Sequence, residues 1–142
     1  MPNSTVEEYM RSPAITISAE AGLDRALMIM QTQHIRHLPV VDENHDLAGI
    51  ITSGNLRMHM TEDKSQSDGM KGYFLPALTK VRKVMVTDVH KARVDTTMVE
   101  AALQMCDLKI GALPVVDSTG KKVLGIITET DMLRLFAKMM RK

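Results

Sequence analysis

Two tetrapeptides, TSGN at 52–55 and TETD at 128–131, each set a hydroxyl three residues ahead of an amide or a carboxylate. Thr52 with Asn55, and Thr128 with Asp131, have the N-cap and N3 spacing at which two side chains satisfy the first backbone N–H groups of a helix. A helix opening just after Thr128 also aims unpaired N–H groups outward, and with the hydroxyl they suit a phosphate, although Glu129 opposes a dense anionic charge. One such tetrapeptide is usually only a cap. Two copies at equivalent places argue for a ligand as well.

Arg36 and His37 offer a planar fork for phosphate and a pH-dependent donor, with a solvated surface role as the alternative for the arginine. Their counterparts in the second half, Gly111 and Ala112, carry no such groups, which implies two unequal sites.

Other chemistries lack a candidate set. His34 and His37 are three apart but have no cysteine or acidic partner in the motif, so no metal site is expected. His34, His37, His45, His59 and His90 do not assemble into an acid–base pair, so the chain is expected to be no enzyme and to need no catalytic cofactor. Cys106, beside an apolar helical stripe and without a basic neighbour in sequence, reads as a buried structural thiol. Eighteen Lys and Arg against seventeen Asp and Glu, with 3% aromatics, leave neither the field nor the stacking surface for nucleic acid. No apolar run suffices to span a bilayer. A single cysteine and an amino terminus, MPNSTVEEYM, without a basic start and apolar core point to the cytoplasm.

The elements that must position these residues occur twice. AITIS at 14–18 alternates as a strand, and HKARV at 90–94 is assigned as one by position. Leu23, Ala26, Leu27 and Met30, then Met98, Ala101, Ala102 and Met105, recur at i, i+3, i+4, i+7, which predicts two amphipathic helices. Thr97 and Glu100 predict a capping box for the second; the first opens at Gly22 without one. LPVVD and a Gly-Ile-Ile-Thr stretch flank polar turns at 43–46 and 118–122, predicting two hairpins. A final helix carries Met132, Leu133, Leu135, Phe136, Met139 and Met140 and ends basic in Lys138, Arg141 and Lys142. The segment TEDKSQSDGMKG at 61–72 reads as an exposed polar loop. Of the thirteen methionines, Met28, Met30, Met98, Met105, Met132, Met139 and Met140 fall on helical patterns and are expected as core filling or at a subunit interface.

Shifting the chain by 75 positions superposes Val6 on Val81, Met10 on Met85, Met30 on Met105, and Leu38 through Asp42 on Leu113 through Asp117. The duplicated pattern, with GIITSGN at 49–55 and GIITETD at 125–131, resembles a tandem pair of cystathionine-β-synthase (CBS) domains, the Bateman module. The expected division is repeat 1 at 1–60, a linker at 61–80 and repeat 2 at 81–142. The resemblance implies an α/β fold of two β-α-β-β-α units packed about a pseudo-twofold axis through their sheets.

It further implies a regulatory module that senses an adenine nucleotide or adenosyl compound, of the AMP, ADP, ATP or S-adenosylmethionine class, in clefts between the repeats. Asn55 and Asp131 would meet the ribose hydroxyls, Thr52 and Thr128 phosphate or ribose, and His37 and Ala112 would border the ligand. The base would rest near Ile15 or Val89. One carboxylate can accept from both hydroxyls of a diol, which gives Asp131 a physical reason to be acidic. A homodimer, and an unidentified protein partner, complete the expectation; a ligand-independent oligomerisation or interaction scaffold is the alternative.

Overall fold

The computed structural model describes residues 3–63, 72–74 and 78–141. The chain forms two compact units that do not follow the sequence period: one joins Met1–Ile15 to His90–Lys142, and the other is Thr16–Val89.

In the unit Thr16–Val89, strand β1 (Ile17–Ser18) is followed by helix α2 (Leu23–Gln33), strands β2 (His37–Val41) and β3 (Leu47–Thr52), and helix α3 (Ser53–Arg57), while helix α1 (Val6–Tyr9) lies in the other unit. The sheet order is β1-β2-β3, with β1 parallel and β3 antiparallel to β2. Leu23, Ala26 and Met30 are the buried face of α2, as the 3.6-residue period requires, and Leu38, Val40, Ile51 and Leu56 are buried with them. Helix α2 starts at Gly22 without a side-chain cap and ends at His34 in the left-handed conformation.

In the other unit, helix α1 (Val6–Tyr9) precedes strand β6 (Ala92–Arg93), helix α4 (Met98–Leu108), strands β7 (Ala112–Val116) and β8 (Val123–Thr128), and helix α5 (Glu129–Met140). Its sheet has the same order and register, including a bulge between Val115 and Val116 that matches the one between Val40 and Val41. Thr97 and Glu100 form the expected capping box. Val6, Ala92, Met98, Ala101, Met105, Leu113, Val115 and Ile127 make the core, with Met132 and Leu135 of α5 against it.

Both short strands are trimmed relative to expectation: of AITIS only Ile17–Ser18 pairs, and of HKARV only Ala92–Arg93. The polar segment 61–72 is not simply a loop, because Thr61–Asp63 (β4) and Gly72–Phe74 (β5) pair antiparallel; 64–71 lies outside the described residues.

The units close by exchanging their leading segments. Val6 donates to Thr96 at 2.8 Å and Met98 to Ser4 at 2.7 Å; 75 positions apart in the repeat, Val81 donates to Ala21 at 2.8 Å and Leu23 to Thr79 at 3.1 Å. Arg11 exchanges two backbone bonds with Ile126, both 3.0 Å, and Val86 does the same with Ile50 at 2.8 and 2.9 Å. Each segment that begins one repeat in sequence thus lies along the sheet edge of the other. Glu20 secures one of them through Lys80 at 2.6 Å and Arg82 at 3.2 Å. The Lys80 hydrogen bond, and then the charges of Lys80 and Arg82, hold the Glu20 carboxyl below its ordinary range.

The repeated glycines before Ile-Ile-Thr are explained by this exchange. A Cβ on Gly125 would lie 2.7 Å from the Arg11 carbonyl oxygen and 2.6 Å from the Met10 sulfur; on Gly49 it would lie 2.8 Å from the Val86 oxygen and 2.7 Å from the Met85 sulfur. The repeated aspartates are turn formers: Asp42 accepts from the N–H groups of Asn44 and Asp46, and Asp117 from those of Thr119 and Lys122. The Thr119 hydroxyl and these N–H groups lower the Asp117 carboxyl. His45 (φ 61°) and Gly120 (φ 77°) take the left-handed positions of the two turns, so His45 serves a turn here.

Candidate functional site

The strand-to-helix turns assemble the candidate residues by register. In one unit His37 pairs with Thr52 across the sheet, and the N–H of Ser53, first residue of α3, donates to the Arg36 carbonyl at 2.9 Å. In the other, Ala112 pairs with Thr128, and Glu129 N–H donates to the Gly111 carbonyl at 3.0 Å. Arg36, His37, Thr52 and Asn55 therefore form one cluster, and Gly111, Ala112, Thr128 and Asp131 its counterpart. Val89 ends the unit that holds the first cluster, and Ile15 falls in the unit that holds the second; both are half-buried.

Both turns form capping boxes, and they differ in the charge of the N3 side chain and in its further partners. Thr52 Oγ1 accepts from Asn55 N–H at 3.1 Å while Asn55 Oδ1 accepts from Thr52 N–H at 3.0 Å, a closed reciprocal cap. At the other turn Asp131 Oδ2 accepts from Thr128 N–H at 2.8 Å and from the Thr128 hydroxyl at 3.1 Å, and Oδ1 accepts from Arg134 Nη1 at 3.3 Å. Asp131 is 9% exposed, the only charged residue buried among those described. Every buried side-chain polar atom described is partnered, in keeping with the cost of leaving one unpaired.

Chemically, the second turn presents a carboxylate whose second oxygen accepts from a residue outside the cap, whereas the first presents a single amide oxygen that accepts from its cap N–H. His59 reaches back to the Asn55 carbonyl with Nδ1 at 3.0 Å, which occupies it locally. Among the described residues no cluster of three His, Cys, Asp or Glu side chains could hold a metal ion. Arg134 was not singled out by sequence; its only signal was the i, i+3 spacing to Asp131, common to helix ion pairs.

Two sequence-based expectations are corrected. Cys106 is exposed, not buried, because it sits one position past Met105, which takes the core-facing place on α4. Met30, Met98 and Met105 are buried as expected, but Met28, Met139 and Met140 are exposed and are not core filling, since each helix buries a single stripe and these lie off it; the subunit-interface alternative is left standing for them. No helix among the described residues is long and apolar enough to cross a membrane.

Comparison with known proteins agrees with this architecture. The CBS domain profile matches residues 6–62 and 81–138. A CBS domain-containing protein of Dictyostelium discoideum is 31% identical over 95% of this chain and 92% of its own length. An L-aspartate semialdehyde sulfurtransferase of Methanocaldococcus jannaschii is 30% identical over 95% of this chain, but this chain covers only 24% of that enzyme. The chain thus spans about a quarter of the length of the enzymes among its relatives, for example 25% of a homoserine O-acetyltransferase of Methanococcoides burtonii. Among solved structures, a CBS domain pair in complex with 5′-methylthioadenosine and S-adenosyl-L-methionine superposes with a TM-score of 0.78 at 30% identity, over 97% of this chain and 99% of that one. With matching α/β sheets, duplicated turns and a profile match to both repeats over most of the chain, this chain belongs to the CBS domain family, as a tandem pair of CBS domains.

Proposed function

We propose that this chain is a regulatory binding module for an adenosyl ligand and not itself a catalyst. The observation that carries this reading is the Thr128–Asp131 turn, where a nearly buried carboxylate sits at the mouth of a helix with an exchangeable partner. A carboxylate matches the vicinal diol of ribose, since both hydroxyls donate and it only accepts. The similarity to a domain pair that holds methylthioadenosine and S-adenosylmethionine supports an adenosine-containing ligand, with AMP, ADP and ATP in the same class. Arg36 and His37, beside Thr52, serve a phosphate where the ligand has one. The single cysteine fits a cytoplasmic setting, and an unidentified protein partner would receive the signal.

Thermal unfolding with a panel of adenosine, methylthioadenosine, S-adenosylmethionine, AMP, ADP and ATP tests the reading. At one hundred times its dissociation constant a true ligand stabilises by about 2.7 kcal/mol. A panel in which none shifts unfolding favours the scaffold reading. That alternative has one observation on its side: the Thr52–Asn55 cap is complete without a ligand.

We also propose a homodimer. Leu133, Phe136 and Met140 recur at i, i+3, i+7 on α5, and with Met139 they leave an exposed apolar stripe; Leu78 adds to the exposed apolar surface, while Leu75 lies outside the described residues. Sedimentation is expected to give twice the 15.8 kDa chain mass, and Phe136→Glu to return the monomer. A wild-type protein that sediments only as a monomer at tens of micromolar removes the proposal.

A further inference from the structure

An ionised carboxylate offers about four acceptor positions. Three are taken: two on Oδ2 by the N–H and hydroxyl of Thr128, and one on Oδ1 by Arg134. A ribose diol brings two donors to the one place left. The Thr128 N–H belongs to the helix start and cannot leave without unwinding it. Arg134 is different, because its side chain is 74% exposed against 11% for Asp131, so it is held by little besides the ion pair.

We propose that Arg134 is an internal competitor for the ligand-binding carboxylate, an affinity-setting residue that must release Asp131 Oδ1 before a ribose diol is fully bound. Its surroundings oppose that release. The groove beside it on α5 is lined by Ala137, Lys138 and Arg141, so along this face Arg134 meets two like charges if it leaves Asp131. The equivalent position after Asn55 is Met58, so the device belongs to one site only. It makes the second turn a stronger diol acceptor by charge and a self-inhibited one by ion pairing.

The proposal rests on the reading of Asp131 as a ribose ligand, and the test separates the two. Calorimetry with adenosine, which is uncharged, is carried out on wild type, Arg134→Ala, Asp131→Ala and the double variant. Arg134→Ala is expected to bind adenosine about 1.4-fold to fivefold more tightly, the range spanned by exposed ion pairs. Wild-type affinity should rise between about 0.01 M and 1 M salt, as the screening length falls from about 30 Å to about 3 Å, and that of Arg134→Ala should stay flat. A helix-stabilising ion pair alone would not give an uncharged ligand this salt response.

If Asp131→Ala binds adenosine as wild type does, or wild type does not bind it, the ribose reading and the competitor fall together. If Asp131→Ala weakens binding while Arg134→Ala leaves it unchanged or weaker, the competitor alone is overturned. Tightening by Arg134→Ala that persists in the double variant also overturns it, because the arginine would then act on something other than Asp131.

Discussion

Asp131→Ala is expected to weaken adenosine binding by about tenfold to 150-fold, equivalent to the roughly 1.5–3 kcal/mol lost with a hydrogen bond to a charged group. Asn55→Ala should cost much less, because Asn55 has one neutral acceptor oxygen, already used by Thr52 N–H, where Asp131 has a second carboxylate oxygen outside its cap. Both variants lose a helix cap, so each should melt earlier without ligand by an amount that about 1 kcal/mol explains. A 2′,3′-dideoxy analogue separates the cap from the site. It should bind wild type and Asp131→Ala almost equally, since the diol donors are gone. Retention of wild-type affinity for adenosine in Asp131→Ala would leave the TETD turn as a helix cap and nothing more.

Gly125→Ala should destabilise the protein by about 1–3 kcal/mol, the usual range for overpacking a filled site, and Gly49→Ala by a similar amount. The added Cβ meets a backbone carbonyl in each case, at 2.7 Å from Arg11 and 2.8 Å from Val86, and backbone yields less readily than a methionine end. The response should be local first: amides of Arg11 and Ile126 in one variant, and of Val86 and Ile50 in the other, should lose hydrogen-exchange protection ahead of the helices. Gly54→Ala is the control. It lies within α3, where a Cβ would be 3.6 Å from Thr52 Oγ1, an ordinary contact, so alanine should be neutral or stabilising. Equal losses at all three glycines would mean that the docked segments do not explain the repeated Gly, since backbone entropy by itself favours alanine where φ is negative.

The docked segments and the candidate turns share the same edge strands. Ile126 and Ile50, the residues that hold Arg11 and Val86, lie two positions before Thr128 and Thr52 on the same strands. A substitution that loosens the docked segment is therefore close to the candidate site, and its effect on ligand affinity has to be measured at a temperature where the variant remains folded.

Much of the local structure was legible without coordinates. Leu23, Ala26 and Met30, and Met98, Ala101 and Met105, announce their helices because a buried stripe must recur every 3.6 residues. Thr97 with Glu100 announces a cap because both partners lie within one turn. The hairpins follow from short turns between β-branched runs, whereas the meeting of His37 with Thr52 and of Ala112 with Thr128 also needs the bulges at Val40/Val41 and Val115/Val116, which shift the register by one residue. The turn residues Thr52, Asn55, Thr128 and Asp131 were visible for the same reason, since their bonds span three residues.

What the tertiary structure alone decided involves partners far apart in sequence. Nothing local in Met10-Arg11 or Met85-Val86 says that each segment lies along the other repeat's last strand, because the bonds to Ile126 and Ile50 use only backbone groups that any residue carries. The 75-residue period even points the other way, by grouping each segment with the repeat it begins. Gly49 and Gly125 took their meaning from that docking, which sets a carbonyl oxygen where a Cβ would stand. The exposure of Cys106 and Met139 was likewise out of reach, since a helix's periodicity defines its buried stripe only to within a residue on either side. Arg134 on Asp131 is the remaining case: spacing permits the pair, but only the fold buries the carboxylate while leaving the arginine in water, and that difference in burial is what makes one partner fixed and the other exchangeable.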